Sequence, residues 1–148
     1  MVAGESNEYL RNQVLTASPE QLQMMLYDGA IRFARQGGEA IERGDIEASF
    51  NLLTRAQRIV LEMLNGLRPD ANPDLCEKMA SLYNFVYRRL VDATVNKDAK
   101  ALDDALRILE YQRKTWAMLM EKISQERGQA TTVNSEDPSE TESLSIEG

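Results

Sequence analysis

Residues 18–44 read SPEQLQMMLYDGAIRFARQGGEAIERG, and they determine the class of fold. Ser18 suits a helix N-cap, Pro19 suits the first helical position, and Gln21 can complete a capping box. Apolar residues and a glycine then recur at helical spacing and share one face of the predicted helix, at Leu22, Leu26, Gly29, Phe33 and Ala40. The stretch therefore predicts a helix from Pro19 to about Arg43.

Two adjacent glycines, Gly37 and Gly38, lie inside this predicted helix. Each glycine costs about 1 kcal/mol relative to alanine in a helix interior. The pair therefore predicts a bend or a weak point in the helix.

Three further helices are predicted downstream. Gly44-Asp45 ends the first helix and caps a second, from Ile46 to Asn65. Asn72-Pro73 repeats the cap and proline for a third helix, and a tight link at 96–98 leads to a fourth, from Ala99 to about Ile123. The third helix carries an apolar stripe, predicted to be its core face, at Leu75, Met79, Leu82, Val86, Leu90 and Ala93. Helices with such short connections favour an all-α fold, an antiparallel up-down four-helix bundle.

The chain outside residues 18–123 differs from this bundle. Residues 1–17 are predicted to form a short amphipathic arm that carries Tyr9, Leu10 and Val14. Residues 124–148 contain six acids, one base and few aliphatic side chains, which predicts a disordered acidic tail. The tail holds −5 of the total charge of −7, and residues 1–123, with 18 acids and 16 bases, are close to neutral.

Composition excludes several functions. The chain has no histidine, so a Ser-His-Asp triad and a histidine-ligated metal are excluded, and we expect no catalytic residue, metal or cofactor. An acidic balance argues against nucleic acid, and no apolar run approaches the ~20 residues of a membrane-inserted helix. A single cysteine and the lack of a signal-like start favour the cytoplasm. The oligomeric state, including a homodimer, is left open.

The second and third predicted helices carry more apolar surface than a bundle face requires. Their apolar arcs cover roughly 200°, against the ~100° of an ordinary surface helix. The flanking residues are Leu52, Ile59 and Met63 on the second helix, and Cys76, Ala80, Tyr83 and Tyr87 on the third. A wide core face and a hydrophobic groove for a peptide or helix both explain these arcs.

Thr16-Ala17-Ser18-Pro19, followed by MLYDGAI at 25–31, resembles the flagellar secretion chaperone family, FliS. Tyr9 precedes the cap at the distance found in that family. Further matches are Arg55-Ala56, Leu82-Tyr83, Arg89-Leu90, Arg113 and Trp116. The family motif on the first helix comprises Ser18, Pro19, Leu26, Tyr27, Asp28 and Gly29.

The resemblance implies an antiparallel four-helix bundle without catalytic activity. Family members bind the disordered C-terminal segment of flagellin in the cytoplasm, prevent premature polymerisation, and help deliver the subunit to the flagellar export apparatus. Our hypothesis is that Leu52, Ile59, Met63, Tyr83 and Tyr87 form the groove for this segment. The arm residues Tyr9, Leu10 and Val14 would gate it.

Two alternatives remain at this stage. One is a helical adaptor for another secretion cargo. The other is an all-α mutase without histidine, which would need several cations converging inside the bundle, where only Arg89 is predicted to point inward. Asp28 and Arg89, charged residues in apolar stretches, are instead expected to form structural ion pairs or helix-terminus contacts.

Overall fold

The structure is a computed structural model that describes the backbone of residues 2–70 and 72–136, and the side chains of 7–70 and 72–128. All regular secondary structure in these ranges is helical, which confirms the all-α class. The helices are α1 (Val2–Thr16), α2 (Pro19–Glu42), α3 (Ile46–Asn65), α4 (Pro73–Asn96) and α5 (Ala99–Glu136). Within the described ranges, no helix combines the length and the hydropathy needed to cross a membrane.

Local capping chemistry starts three of these helices where it was predicted. The Ser18 hydroxyl accepts a hydrogen bond from the Gln21 backbone N–H (3.1 Å), and the Gln21 side chain accepts one from the Ser18 N–H (3.0 Å). Asp45 and Asn72 likewise accept hydrogen bonds from backbone N–H groups in the first turns of α3 and α4. These bonds satisfy donors that have no partner within the helix itself.

The two ends of the chain differ from the prediction. The N-terminal arm is a helix, α1, and α5 continues to Glu136, whereas the predicted disordered tail began at Ser124. Residues 125–127 are Gln, Glu and Arg, which have high helix propensity. Low apolar content removes tertiary packing, but it does not prevent helical backbone hydrogen bonds. Residues 137–148 of the predicted tail lie outside the described part.

The chain consists of two compact units, residues 1–113 and residues 114–148, each with most of its contacts inside itself. Within the first unit, α2 runs antiparallel to α3, because Gly29 lies opposite Ile59 and Gly37 lies opposite Leu53. The helices are joined by a short turn at Gly44, which has a φ of 78°. Such a left-handed conformation is accessible to glycine at little cost.

Ion pairs show that α2 also runs antiparallel to the first part of α5. Asp28 pairs with Arg113, and Arg35 pairs with Glu110. The predicted ion pairing of Asp28 is thereby confirmed.

Large side chains from α2, α3, α4 and the first part of α5 fill the core of the first unit. The largest fully buried ones include Tyr27, Leu53, Val60, Tyr83, Val86, Leu90 and Leu109. On α4 the prediction was partly wrong, because Leu75 and Leu82 of the predicted core stripe are 55% and 38% exposed. Tyr83, predicted on the flank, is buried in the core because its hydroxyl has a partner there, Tyr27.

Candidate functional site

The α2 side of the site consists of Gly29, Phe33 and Gly37, which recur every fourth residue and therefore lie along one side of the helix. A Cβ atom at position 29 would lie 3.1 Å from Ile59 Cδ1. A Cβ at position 37 would lie 2.6 Å from both Cγ and Cδ2 of Leu53. The two glycines thus allow α3 side chains to approach the α2 backbone closely.

This contact gives the glycine pair a structural role that local propensity did not reveal. A Cβ at Gly38 would lie 2.7 Å from Leu102 Cδ2, so the second glycine makes room for α5. Helix α2 runs unbroken from Pro19 to Glu42 through both positions. The weak point predicted there is therefore a point of close packing with two neighbouring helices.

Two arginine side chains stack on Phe33. The guanidinium carbons of Arg32 and Arg55 lie 5.0 Å and 5.4 Å from the centre of the ring. Phe33 is half-buried, and both arginines are exposed. Cations at this distance from an aromatic face are attracted by the ring quadrupole, so the ring orients both side chains.

On α3, Arg55 shares one face with Leu52 and Ile59, since the three residues follow each other by three and four positions. Leu52 and Ile59 are half-buried. Together with Arg32 and Phe33 of α2, these side chains form what we call the α2–α3 face. It combines accessible apolar surface with two positive charges.

Two of the predicted groove residues belong to the core. Met63 is 3% exposed and Tyr83 is 1% exposed. The Tyr83 hydroxyl lies 2.8 Å from the Tyr27 hydroxyl and accepts a hydrogen bond from Gln23 Nε2 at 3.2 Å. Burial, together with the hydrogen bond to Tyr27, raises the pKa of Tyr83 far above its usual value. In this structure both side chains pack inside the protein, so they do not line an accessible groove.

The remaining predicted groove residues do not converge on one surface. Tyr87 is half-buried on α4, and α3 meets α4 through the hydrogen bond from Thr94 Oγ1 to Gln57 Oε1 (2.9 Å). At 100° per residue, Gln57 lies about 160° around α3 from Ile59. Leu52 and Ile59 thus lie towards α2, away from the α4 side where Tyr87 is found.

The predicted gating residues are all accessible. Tyr9, Leu10 and Val14 on α1 are 66%, 51% and 41% exposed. Their role as a gate remains a prediction.

The family motif on α2 has several structural roles. Ser18 and Pro19 start the helix, and Tyr27 lies in the core. Leu26 is half-buried, Asp28 is ion-paired, and Gly29 makes room for Ile59. These residues therefore build and position α2, and Gly29 lies directly beside the α2–α3 face.

Sequence reasoning missed some exposed residues. Phe50 and Phe85 are 55% and 37% exposed, and neither was singled out. It also missed the stacking of Arg32 and Arg55 on Phe33. No local signal identifies that cluster, because it depends on which residues of two helices come together.

Arg89 lies in a network of ion pairs. It contacts Asp92 at 2.9 Å and Asp104 at 3.2 Å, which confirms its predicted ion pairing. Lys100 and Arg107 also bind Asp104, and together with Arg89 they lower the pKa of that carboxyl to about 2. Because carboxylates already neutralise Arg89, the inward cation that the mutase alternative invoked is not free to bind a substrate. The described residues hold no group of three or more potential metal ligands.

The described part of the chain is thus an all-helical protein whose α2–α3 face combines accessible apolar surface with two positive charges. The chain belongs to the family of the flagellar protein FliS, whose family model matches residues 2–123. This assignment confirms the family resemblance and, with it, the predicted role as a flagellar secretion chaperone.

Individual relatives agree with this assignment. The chain is 33% identical over 119 residues to the flagellar secretion chaperone FliS of Bacillus subtilis, covering 80% of this chain and 88% of the relative. It is 29% identical over 116 residues to FliS of Salmonella typhimurium, covering 78% and 86%. A crystal structure of a bacterial flagellar chaperone matches with a TM-score of 0.66 at 20% identity, covering 82% of this chain and 99% of the other. That structural match supports the fold.

Proposed function

We propose that this protein binds the C-terminal segment of flagellin on the α2–α3 face in the cytoplasm. In doing so it prevents premature polymerisation and presents the subunit to the flagellar export apparatus. The binding scaffold is the antiparallel four-helix bundle of α2, α3, α4 and the first part of α5. No chemical step is required of the protein.

The observation that carries this proposal is apolar surface left over after the core is complete. Leu53, Val60, Leu90 and Leu109 are completely buried, whereas Leu52 and Ile59 lie at the edge of this core and are only half-buried. These two side chains remain partly accessible on the side of α3 that adjoins α2. Apolar surface that adjoining helices share in this way supports the proposal of a docking site.

The energetics suit a disordered partner. A segment that orders on binding loses conformational entropy, and it must bury a large surface to compensate. Burial of 1,000 Å² of apolar surface contributes about 25 kcal/mol of gross free energy, and most of it is offset by ordering and association. A long segment that wraps around helices can bury such an area, whereas a small ligand cannot.

The exposed apolar side chains of α1 support a gating role for the arm. Tyr9 and Leu10 are accessible, and they can cover apolar surface in the free protein and leave it when the segment arrives. Replacement of Tyr9 by alanine should then strengthen binding of the segment, because a competitor for the surface is weakened.

Charge introduced on the α2–α3 face tests the proposal. Ile59→Glu should abolish binding of a flagellin C-terminal peptide, measured by calorimetry, while the helical circular dichroism signal is retained. Leu61→Glu is the matched control, since Leu61 is also half-buried on α3 but points about 160° away from Ile59. Unchanged affinity of Ile59→Glu would remove this face from the binding site.

Truncation of the partner tests the segment itself. Flagellin that lacks its C-terminal segment should not co-purify with the chaperone when the two are co-expressed. Retained binding of the truncated subunit would contradict the proposal.

A further inference from the structure

Arg32 and Arg55 differ from the ion-paired arginines of the described residues in their surroundings. Neither forms an ion pair with a carboxylate of the described residues. Their guanidinium carbons instead lie within 5.4 Å of the centre of the Phe33 ring. By contrast, several arginines elsewhere on the helices are ion-paired, namely Arg35, Arg89, Arg107 and Arg113.

Stacking on an aromatic ring leaves the hydrogen-bonding groups of a guanidinium available. The ring attracts the positive charge, while the N–H donors lie in the guanidinium plane and form a fixed fork. That fork matches the two oxygens of a carboxylate. Two guanidinium groups held by one ring also repel each other, so a bound anion relieves an existing electrostatic cost.

The position of Arg55 places these donors within apolar surface. Leu52 precedes it by three residues and Ile59 follows it by four, so all three lie on the same face of α3. A carboxylate bound there loses water on the side where the apolar segment packs. Electrostatic attraction is stronger in such partly desolvated surroundings than in bulk water.

We propose that Arg32 and Arg55, oriented by Phe33, bind a carboxylate of the segment held on the α2–α3 face. This contact fixes the register of a segment whose apolar contacts alone would tolerate sliding. The proposal rests on the function proposed above. The carboxylate belongs either to an acidic side chain of the segment or to its chain terminus, and the experiment separates these sources.

The experiment compares three versions of a flagellin C-terminal peptide by calorimetry, at low and at high salt. One has a free terminal carboxylate, one is amidated at the terminus, and one has its acidic side chains replaced by the corresponding amides. The variants are Arg32→Gln, Arg55→Gln and the double variant. Arg88→Gln is the control, because Arg88 is exposed on α4 and undergoes the same chemical change. Circular dichroism checks that each variant is folded.

The double variant should bind the unmodified peptide at least tenfold more weakly, since a charge-assisted hydrogen bond of this kind contributes at least that factor. Its affinity should also depend less on salt than that of the wild type. Arg88→Gln should match the wild type. Arg55→Lys should restore only part of the loss of Arg55→Gln, because lysine keeps the charge and lacks the planar fork.

The modified peptides identify the source of the carboxylate. One of the two modified peptides, the amidated one or the one with amide side chains, lacks the carboxylate that the arginines bind. This peptide should bind the wild-type protein more weakly than the unmodified peptide does. It should bind the double variant and the wild-type protein with equal affinity. Equal binding of the unmodified peptide to wild type and double variant would overturn the proposal, as would full affinity of both modified peptides for the wild type. Failure of the wild type to bind any of the peptides would instead overturn the proposed function.

Discussion

A methyl group added at Gly37 provides a direct test of the packing between α2 and α3. The new Cβ would lie 2.6 Å from two carbon atoms of Leu53, whereas carbon atoms in contact prefer about 3.5–4.0 Å. Leu53 is completely buried, and its own backbone nitrogen lies only 3.5 Å from the same point. The side chain therefore cannot simply turn aside, and the two helices must move apart.

The size of the effect follows from two opposing contributions. Overpacking of a filled core costs about 1–3 kcal/mol, and an overlap of this size belongs in the upper part of that range. Replacement of glycine by alanine inside a helix stabilises the folded protein by about 1 kcal/mol, because alanine has the higher helix propensity. We therefore expect Gly37→Ala to lower the free energy of unfolding by about 1–2 kcal/mol.

Thermal unfolding followed by circular dichroism measures this change. A loss of 1 kcal/mol should lower the Tm by about 4 °C in a chain of this size. Gly29→Ala is the control, because its Cβ meets only the end of the Ile59 side chain, at 3.1 Å, and should change stability little. If Gly37→Ala were as stable as the wild type or more so, the close approach described here would be refuted.

A double-mutant cycle with Leu53 isolates the contact. Leu53→Ala alone should cost about 2–5 kcal/mol, because it leaves a cavity in the core. In the double variant the alanine at position 37 meets no obstacle, so the combined loss should be smaller than the sum of the single losses. Strict additivity would show that the two residues do not interact.

Three further substitutions test the buried polar groups. Tyr83→Phe should lower the free energy of unfolding by about 1 kcal/mol in urea titrations, since it removes the hydroxyl that pairs with Tyr27; unchanged stability would contradict a role for this bond. Asp104 has its pKa lowered to about 2 from the usual 3.8, so its contribution to stability is present above pH 3.8 and is lost as the pH falls through 2. Asp104→Asn should therefore make the Tm less dependent on pH between these values, and an unaltered pH profile would rule out this coupling. Gln112 is 6% exposed, and neither its amide nitrogen nor its amide oxygen has a hydrogen-bond partner among the described residues. Gln112→Met should therefore raise the Tm. A lower Tm would show that the amide is hydrogen-bonded in solution.

Local chemistry explains which parts of the fold were predictable. The starts of α2, α3 and α4 depend on side chains that bond to backbone within three residues, and such signals are contained in a few letters of sequence. The sequence does not predict the continuation of α5 past Ile123, because low apolar content indicates a lack of tertiary packing and does not report the helix propensity of the backbone.

Contacts between distant residues explain the rest. Leu82 and Tyr83 are adjacent, and only the hydroxyl of Tyr27, 56 positions away, shows which of them lies in the core. Gly37 was interpreted by its local cost, while its benefit depends on Leu53 of the next helix. The cluster on Phe33 likewise joins two helices, so the apolar residues Leu52 and Ile59 were predicted for the site and its charged residues were not.

The antiparallel pairing of α2 with α3 also bears on the order in which the chain is synthesised. Every residue of the α2–α3 face lies within residues 32–59, and the contacts that assemble it close only short loops. Contacts between residues close in sequence form faster than contacts between distant ones. The side chains of this face can therefore meet as soon as α3 has left the ribosome, before α4 and α5 have been translated.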